Sequence, residues 1–498
     1  MNILLLHLPF NENNFYKKGY FSGGTQSPLF PIGLSYIAKK LVENKYPVKV
    51  VDIYAEQLCF DKVVQRLEKI DSDIIGIAAL VPQYKYLKWI TKEIKKINKN
   101  CKIVLGSGLG TACDKIVLDN IKEVDICVRG EGEITFLELL ENNFKNLESI
   151  DGISYRAETN GVEIIRNKNR KLIEDIDALG FPLYKLFDIE LYLRAKFYDT
   201  GIFNTRERYK GLRAFPIITA RGCPYNCNFC GKIIPGARLR SVTKIIEEIK
   251  YLKEKCQIEG VHFVDELLVI NKGRAKEICA ELKKLNIIWD CQGRVNLVDY
   301  EIMKTMKDAG CIAIGFGVES GDPQILKNMN KQTTPEQIEK SILGAQKAGL
   351  AVKNQLIFGY PGETCQTLEN TVKLMKKVNN PGRRFNYIQP IPGTKLYGEA
   401  LQKKLIIDEE YYLYNLFNTP VPQVNFTKFE TDEIPKIMRY YFDKMQINYI
   451  INLITRPCGW IKLIKNYQFI KKILLIVVKH YIRILGGNYK FIKKYKTK

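Results

Sequence analysis

The stretch RGCPYNCNFC, residues 221–230, places Cys223, Cys227 and Cys230 in one short segment. It directly follows the apolar run AFPIITA, which is typical of a buried parallel strand. Cysteines that follow such a strand lie on a loop at the carboxyl edge of a sheet, where barrel enzymes hold their catalytic groups. A structural zinc site needs four ligands, and no fourth cysteine or histidine lies nearby. The spacing therefore favours a metal centre with an open coordination position over zinc or three unrelated buried thiols.

The residues after the cysteines continue an alternation of strands and helices. Amphipathic stretches such as TKIIEEIKYLKEKC separate four further apolar runs. These runs are GVHFVDE (260–266), IIWDCQGR (287–294), IAIGFGVES (312–320) and VKNQLIFG (352–359). With the strand before the cysteines, they predict a barrel-like α/β domain over residues 212–408, with its site at the carboxyl ends of the strands.

The segment before the cysteines has the same rhythm. Its strand-like runs are MNILLLHL (1–8), YPVKVVDI (46–53), SDIIGIAAL (72–80), CKIVLGSG (101–108) and VDICVRG (124–130). They predict a doubly wound, Rossmann-like sheet over residues 1–148, in which ligands bind at the carboxyl ends of the strands. Residues 149–211 break the pattern and are predicted to form a linker, which contains a hairpin around Asn160-Gly161.

The cysteine motif and the strand ends that follow it resemble the radical S-adenosylmethionine enzymes. Three thiolates on a four-iron cluster leave one iron without a protein ligand, which matches the open position. The resemblance implies that Cys223, Cys227 and Cys230 hold a 4Fe–4S cluster on a partial (β/α)6 barrel. It also implies that the free iron is chelated by S-adenosylmethionine, which one-electron reduction cleaves to a 5′-deoxyadenosyl radical.

The resemblance assigns S-adenosylmethionine contacts to residues at the ends of successive strands. Asp265 and Glu266 would accept hydrogen bonds from its amino group, and Arg294 would bind its carboxylate as a fork. Each also has a plainer interpretation, because the two acids can begin a helix and the arginine can form a surface ion pair. The ribose and methionine positions would lie beside Gly317, Glu319 and Ser320.

The adenine contact would come from the stretch QLIFGYPGET, through Ile357 and Gly359. The first glycine that is usual in this motif is replaced here by Gln355. This departure concerns the assignment of the adenine contact.

The arrangement before the cysteines resembles the cobalamin-binding subfamily of these enzymes. The stretches that carry the resemblance are SPLFPIGLSYIAKKL, IVLGSGLG, VRGEGEITFLELLE and KLIEDIDALGFPLYKL, and it covers about residues 1–400. It implies that cobalamin contacts backbone and small residues at the strand ends, namely Gly106, Ser107, Gly108, Gly130, Glu131 and Gly132. A plain nucleotide-binding Rossmann domain is the alternative, although no G-x-G-x-x-G opens a helix after the first strand.

The histidines bear on how cobalamin would bind. The chain contains His7, His262 and His480 only, and the Asp-x-His-x-x-Gly motif that supplies an axial histidine in many cobalamin proteins is absent. We therefore expect base-off cobalamin with no histidine ligand. A domain that has lost the cofactor remains the alternative.

The positive charge of the chain is concentrated at its end. The net charge is +23, and residues 434–498 contain fifteen Lys or Arg against one acid. A helical, basic region over 409–498 is predicted, with breaks at Pro435 and Pro457. Its longest apolar run, ILLIVV, is too short to span a bilayer, so the region is expected to lie on an anionic membrane surface. A helical cap on the catalytic domain and, less favoured, a nucleic-acid arm are the alternatives.

These observations predict a cobalamin-dependent radical S-adenosylmethionine enzyme. As the resemblance implies, it would be a C-methyltransferase that uses methylcobalamin and a 5′-deoxyadenosyl radical on an unactivated carbon of a small molecule, lipid or isoprenoid. A ferredoxin or flavodoxin would supply electrons. The expected location is cytoplasmic and peripheral to the membrane, because the amino-terminal run lacks the features of a signal peptide. An oxidative cyclase with the same cofactors and a non-catalytic corrinoid and iron–sulfur sensor are the alternatives.

Overall fold

Two sheets, each covered by helices, organise the chain. The computed structural model describes residues 1–9, 28–158, 162–193, 211–382, 385–417, 419, 421–455 and 495. The strands of the first sheet are β1 (Ile3–His7), β2 (Val48–Asp52), β3 (Ile74–Ala78), β4 (Lys102–Gly106), β5 (Ile126–Val128), β6 (Ile153–Glu158) and β7 (Val162–Arg166). The helices around it are α1 (Ile32–Glu43), α2 (Phe60–Glu68), α3 (Tyr84–Ile97), α4 (Ser107–Ala112), α5 (Asp114–Asn120) and α6 (Gly132–Glu141).

The first sheet has the order β2-β1-β3-β4-β5-β6-β7, in which β1 to β5 are parallel. The order reverses beside β1, as expected of a doubly wound sheet, so the predicted Rossmann-like fold is confirmed. Strand β6 pairs antiparallel with β5, and β7 with β6. This corrects the predicted boundary at residue 148, because the hairpin of the predicted linker extends the sheet and covers the edge of β5. The predicted turn at Asn160-Gly161 lies outside the described residues.

The strands of the first sheet are apolar on both faces because helices cover both faces. In β1, Leu4 and Leu6 join the core cluster that includes residues of α2 and α3. Ile3 and Leu5 join the cluster on the opposite face, with residues of α1 and α6. Because side chains alternate along a strand, His7 lies on the same face as Leu5, at the carboxyl end of β1.

The second sheet contains six parallel strands in the order β15-β14-β13-β12-β11-β8. Their bounds are β8 (Ala214–Ile217), β11 (Gly260–Phe263), β12 (Ile288–Gly293), β13 (Cys311–Glu319), β14 (Ala351–Phe358) and β15 (Phe385–Tyr387). A two-stranded ribbon of β9 (Ala220–Arg221) and β10 (Arg238–Leu239) stands beside it. The sheet does not close, since β8 and β15 are its two edges, and this confirms the predicted partial barrel.

The helices after residue 185 are α7 (Glu190–Leu193), α8 (Val242–Cys256), α9 (Lys272–Leu285), α10 (Tyr300–Asp308), α11 (Pro323–Asn328), α12 (Pro335–Lys347), α13 (Cys365–Lys377), α14 (Lys395–Gln402), α15 (Glu409–Asn415) and α16 (Ile434–Thr455). Several begin where the sequence supplies an N-cap side chain. Ser241, Asn271 and Asp299 accept hydrogen bonds from the first turns of α8, α9 and α10. These caps therefore define the residue at which each helix begins.

The carboxyl-terminal helices pack on both domains. Tyr412 and Leu413 of α15 belong to a core cluster of the first domain. Helix α16 lies along α13, where Lys444 Nζ is 2.6 Å from a carboxylate oxygen of Glu369. The described part of the region therefore matches the predicted helical cap, and Pro435 stands at the start of α16. No helix within the described ranges has the length and apolar content to cross a membrane. The predicted basic segment from residue 456 lies outside those ranges, except for Tyr495.

Candidate active site

The three predicted cluster ligands lie on residues 222–237, the cysteine loop, which the β9–β10 ribbon closes at its base. Arg221 and Arg238 are register partners across that ribbon. Cys223 and Cys227 are half-buried, Cys230 is exposed, and all three are free thiols. No three His, Cys, Asp or Glu side chains in the described parts of the chain converge on a single metal ion. A cubane differs from such a site because each thiolate binds its own iron.

Protein contacts hold the cysteine loop in shape. Lys232 Nζ donates hydrogen bonds to the carbonyl oxygens of Cys223 and Tyr225, at 3.2 and 2.7 Å, and to Asn226 Oδ1 at 2.7 Å. The backbone amide of Asn228 donates to the carbonyl of Met329 at 3.0 Å. The loop is thus anchored both to itself and to the segment after α11. Neither anchor was predicted, since no sequence spacing links Lys232 or Met329 to the cysteines.

Asp265 shapes the entrance to the cysteine loop. Its Oδ1 accepts hydrogen bonds from the amides of Thr219 and Ala220, at 2.6 and 2.9 Å, and its Oδ2 accepts one from Thr219 Oγ1 at 2.7 Å. Burial raises the pKa of Asp265 to about 6, against the effect of these bonds. The predicted contact of Asp265 with the amino group of S-adenosylmethionine stays a prediction, and Thr219 and Ala220 already take three of the positions at which this carboxylate can accept a hydrogen bond.

Glu266, the neighbouring acid, is exposed and faces the site. No hydrogen bond or ion pair joins it to the residues that the structure describes. Although Cys230 reaches the surface, the loss of water around its sulfur, followed by the nearby carboxylate of Glu266, raises the pKa of the Cys230 thiol to about 11. Glu266 therefore lies beside the third cysteine with its acceptors available, as the predicted role requires.

Arg294 also lies where the prediction put it. Its side chain is 6% exposed, its Nη1 is 3.9 Å from Cys227 Sγ, and its Cζ lies 3.6 Å from the centre of the Tyr225 ring. The Nε and Nη2 atoms are buried without a hydrogen-bond partner in the described chain. Buried guanidinium donors of this kind fit a carboxylate ligand, which would satisfy both of them.

The residues that end β13 are engaged with the protein itself. Lys331 Nζ is 2.7 Å from Glu319 Oε1, and both side chains are buried. A Cβ at Gly317 would lie 2.4 Å from that carboxylate oxygen, so glycine makes room for the ion pair. Ser320 Oγ lies 3.3 Å from Thr371 Oγ1. The predicted contacts of Glu319 and Ser320 with S-adenosylmethionine stay predictions, and both side chains also have partners within the protein.

The predicted adenine contacts lie close to the cysteine loop. Ile357 belongs to an apolar cluster with Tyr360, and Phe229, between the second and third cysteines, packs against that cluster. Gly359 has a φ of +89°, and a Cβ there would lie 2.5 Å from the ring of Tyr387. Its backbone amide donates to Glu363. Both predicted residues thus lie near the cysteine loop, and their contact with adenine stays a prediction.

A cavity of about 450 Å³ lies between the strand ends of the first sheet and the cysteine loop. Walls from the first domain include His7, Gly106, Ser107, Gly130, Glu131 and Gly132, and walls from the barrel include Arg221, Gly222, Ile234, Asp265 and Glu266. Gly106 and Gly130 have no atom within 4 Å of the position a Cβ would take. Gly108 is not at the cavity; it packs on the backbone of Leu80, which corrects its predicted role.

Glu131 lines this cavity, but its carboxylate is committed to other partners. Arg221 Nη1 lies 2.7 Å and Arg238 Nη2 lies 3.0 Å from Glu131 Oε1. Burial would raise the pKa of Glu131, but the hydrogen bonds from Arg238 and Arg221 hold it below its usual value. The predicted contact of Glu131 with cobalamin stays a prediction, and the structure adds an ion pair between the two domains. The two arginines were missed, although Arg221 stands inside the cysteine motif.

His7 stands at the mouth of the cavity. Its Nδ1 lies 3.0 Å from Asp52 Oδ2, and Asp52 also accepts a hydrogen bond from Tyr192. His262 is the other described histidine, and it is buried in β11 with its Nδ1 2.9 Å from Asp290 Oδ1. Cobalamin without a histidine ligand remains a prediction, and His7 is the residue on which it can be tested.

Comparisons with known proteins agree with this arrangement. The sequence matches the Radical SAM superfamily over residues 217–375 and the B12 binding domain over residues 25–140. It is 32% identical over 424 residues to the uncharacterized methyltransferase PH0819 of Pyrococcus horikoshii, with 84% of this chain and 87% of that protein covered. It is 28% identical over 421 residues to the anaerobic magnesium-protoporphyrin IX monomethyl ester cyclase of Rubrivivax gelatinosus, covering 82% and 72%.

A solved structure shares the fold. The radical S-adenosylmethionine methyltransferase TsrM from Kitasatospora setae, with cobalamin and a 4Fe-4S cluster bound, gives a TM-score of 0.62 at 18% identity and covers 81% of this chain and 75% of that chain. The chain belongs to the radical S-adenosylmethionine superfamily. Within it, the chain is one of the enzymes that carry a B12 binding domain, and its cofactors are a 4Fe–4S cluster, S-adenosylmethionine and cobalamin. The predicted fold, family and cofactors are confirmed.

Proposed function

We propose that this enzyme transfers a methyl group to an unactivated carbon of a small molecule or lipid. The observation that carries the proposal is the shared cavity, whose walls come from the strand ends of the B12 binding domain and from the base of the cysteine loop. When bound, the cluster supplies the electron that cleaves S-adenosylmethionine to a 5′-deoxyadenosyl radical, and the corrinoid supplies the methyl group. Methyltransferases among the relatives support this function.

The residues of the barrel divide the work of holding S-adenosylmethionine. Cys223, Cys227 and Cys230 would hold the cluster and leave one iron open. Arg294 would bind the methionyl carboxylate through its unpartnered Nε and Nη2 atoms, and Glu266 would accept from the amino group. The ring of Tyr225 beneath the guanidinium keeps Arg294 aimed at the cysteines, since a cation over an aromatic face is attracted to it.

The first domain fits a corrinoid without a histidine ligand. The cavity continues between the sheet and helices α1 and α6 as an apolar slot, which is lined by Leu5, Leu34, Val104, Val128 and Phe136. At the strand ends, Gly106 and Gly130 leave open space where any other residue would project a side chain. Such a wall admits a broad, flat ligand and excludes water from its buried part.

The proposal is tested on protein purified without oxygen from cells supplied with cobalamin. We expect near one corrinoid per chain and, with reductant and S-adenosylmethionine, formation of 5′-deoxyadenosine. Replacing the three cysteines with alanine should abolish the formation of 5′-deoxyadenosine and leave corrinoid binding in place. Absence of corrinoid from a preparation with an intact cluster would contradict the proposal, because methyl transfer would lose its carrier.

An oxidative cyclisation with the same cofactors is the second candidate, which the identity to a cyclase supports. The two functions differ in their by-products once a substrate is found. Methyl transfer consumes one S-adenosylmethionine as the methyl source and releases S-adenosylhomocysteine together with 5′-deoxyadenosine. Formation of 5′-deoxyadenosine alone would favour the cyclase. In either case we propose ferredoxin or flavodoxin as the electron donor.

We further propose that the basic segment after residue 455 binds an anionic membrane surface. Its Lys-rich composition and interfacial aromatic residues support this. A truncation should begin at residue 456, because α16 is part of the fold and Tyr441 within it is fully buried. We expect the full chain, and not the truncated one, to sediment with phosphatidylglycerol vesicles at low salt. Equal binding by both proteins would contradict the membrane role.

A further inference from the structure

One carboxylate holds both sides of the base of the cysteine loop. Arg221 precedes the first cysteine, Arg238 follows the third, and the two face each other in the β9–β10 ribbon. Arg221 Nη1 lies 2.7 Å from Glu131 Oε1, and Arg238 Nη1 lies 2.9 Å from Glu131 Oε2. Glu131 therefore bridges the side chains of the two strands from which the loop emerges, in addition to their backbone pairing.

The ion pairs are shielded from water. The side chains of Glu131, Arg221 and Arg238 are 3%, 10% and 15% exposed. Glu133 Oε1 pairs with Arg221 Nη2 at 2.6 Å, and the amide of Ile173 donates to Glu131 at 2.8 Å. Removing one member of such a buried network leaves an uncompensated charge, so the arrangement resists distortion.

The same carboxylate belongs to the wall of the corrinoid site. Glu131 stands between Gly130 and Gly132, and all three line the cavity. Gly130 has a φ of +74°, and its amide donates to Thr111 Oγ1 at 3.0 Å, so this segment has a defined conformation. Residues 130–132 thus connect the wall of the cavity to both arginines and, through them, to the base of the cysteine loop.

We propose that Glu131 is a positioning residue that couples occupancy of the corrinoid site to the geometry of the cysteine loop. The proposal rests on the proposed function, since it requires that both cofactors bind. Coupling between two sites is reciprocal: if the cluster changes the affinity for the corrinoid, the corrinoid changes the stability of the cluster by the same factor. Glu131 is the physical link in both directions.

The test measures the affinity of the full chain for hydroxocobalamin before and after reconstitution with iron and sulfide. We expect the cluster to change the dissociation constant roughly 5- to 150-fold in the wild type. In Glu131→Gln the ratio of the two dissociation constants should fall to within about twofold of unity, whatever the affinity of the cluster-free variant. A purely structural role would instead lower both affinities together. The electron paramagnetic resonance spectrum of the reduced cluster should respond to cobalamin in the wild type and not in the variant.

Glu138→Gln is the matched control. Glu138 lies on α6 and pairs with Arg170, away from the cysteine loop. The ratio of the two cobalamin dissociation constants in Glu138→Gln should therefore equal that of the wild type. If Glu131→Gln does not fold, Arg238→Lys replaces it in the test. This variant keeps the positive charge but loses the two-pronged contact with Glu131, so it should bring the ratio of the dissociation constants part of the way to unity. An unchanged ratio in a folded Glu131 variant, or no coupling in the wild type, overturns the proposal. Failure of the wild type to bind cobalamin at all contradicts the proposed function instead.

Discussion

Replacing Gly222 with alanine should displace the cysteine loop and abolish the cluster. Gly222 has a φ of +81°, a conformation that costs an alanine about 1–2 kcal/mol. A Cβ there would also lie 2.4 Å from the carbonyl oxygen of Gly236 and 3.0 Å from that of Ile234. These are backbone atoms of the returning half of the loop, so the contact is relieved only if the loop opens. Overpacking of this kind costs about 1–3 kcal/mol.

Gly236→Ala separates the two costs. Gly236 has a φ of +70°, but no atom lies within 4 Å of its Cβ position. The two variants therefore share the cost of the backbone conformation, and only Gly222→Ala adds the steric contact. That contact should lower the population of the native loop roughly 5- to 150-fold relative to Gly236→Ala. The assay is iron and sulfide per chain after anaerobic reconstitution, with hydrogen exchange of the loop amides. We expect near wild-type iron in Gly236→Ala and little in Gly222→Ala. Wild-type iron and unchanged exchange in Gly222→Ala would refute the reasoning.

Three further predictions concern single side chains. Arg294→Met should weaken S-adenosylmethionine binding roughly 10- to 150-fold, because a charged hydrogen-bonding group is lost; equilibrium dialysis measures this, and unchanged affinity contradicts the assigned role. The pKa of Asp265 rises from 3.8 in the unfolded chain to about 6 in the folded protein. The protonated carboxyl therefore stabilises the fold below pH 3.8, and this contribution, about 3 kcal/mol, is lost as the pH rises through 6. Asp265→Asn should remove that loss, so urea unfolding should show the variant gaining free energy of unfolding relative to the wild type between pH 4 and pH 6. A difference in stability that stays constant over this range is evidence against the raised pKa of Asp265. For His7→Ala, the electron paramagnetic resonance spectrum of bound Co(II) corrinoid should match the wild type, without nitrogen splitting; splitting that disappears in the variant would identify His7 as a ligand.

The strands and the cysteine motif could be predicted from sequence because their signals are local. Apolar runs such as those of β1 and β13 mark buried strands wherever they occur, and the spacing of Cys223, Cys227 and Cys230 lies within a single loop. Arg294 could be placed for the same reason, because it directly follows the end of β12. Residues just after parallel strands share one edge of the sheet, whichever helices lie between them.

The roles of individual polar groups were not predictable in this way. No sequence pattern predicted that Asp265 accepts hydrogen bonds from the amides of Thr219 and Ala220, which precede it by 46 and 45 residues. Ser320 likewise meets Thr371, which is 51 positions away. A buried polar group must find a partner, and sequence does not reveal whether protein or ligand supplies it.

The sequence by itself thus determined the two-domain architecture and the cysteine loop, because both depend on periodicity or spacing along neighbouring residues. The cofactors followed from the resemblance of its motifs to a known family. Tertiary structure alone decided how the domains meet: Glu131 lies 107 residues before Arg238 and reaches it only after both sheets have formed. The pairing of buried charges across that interface depends on distance in space, to which separation along the chain gives no guide.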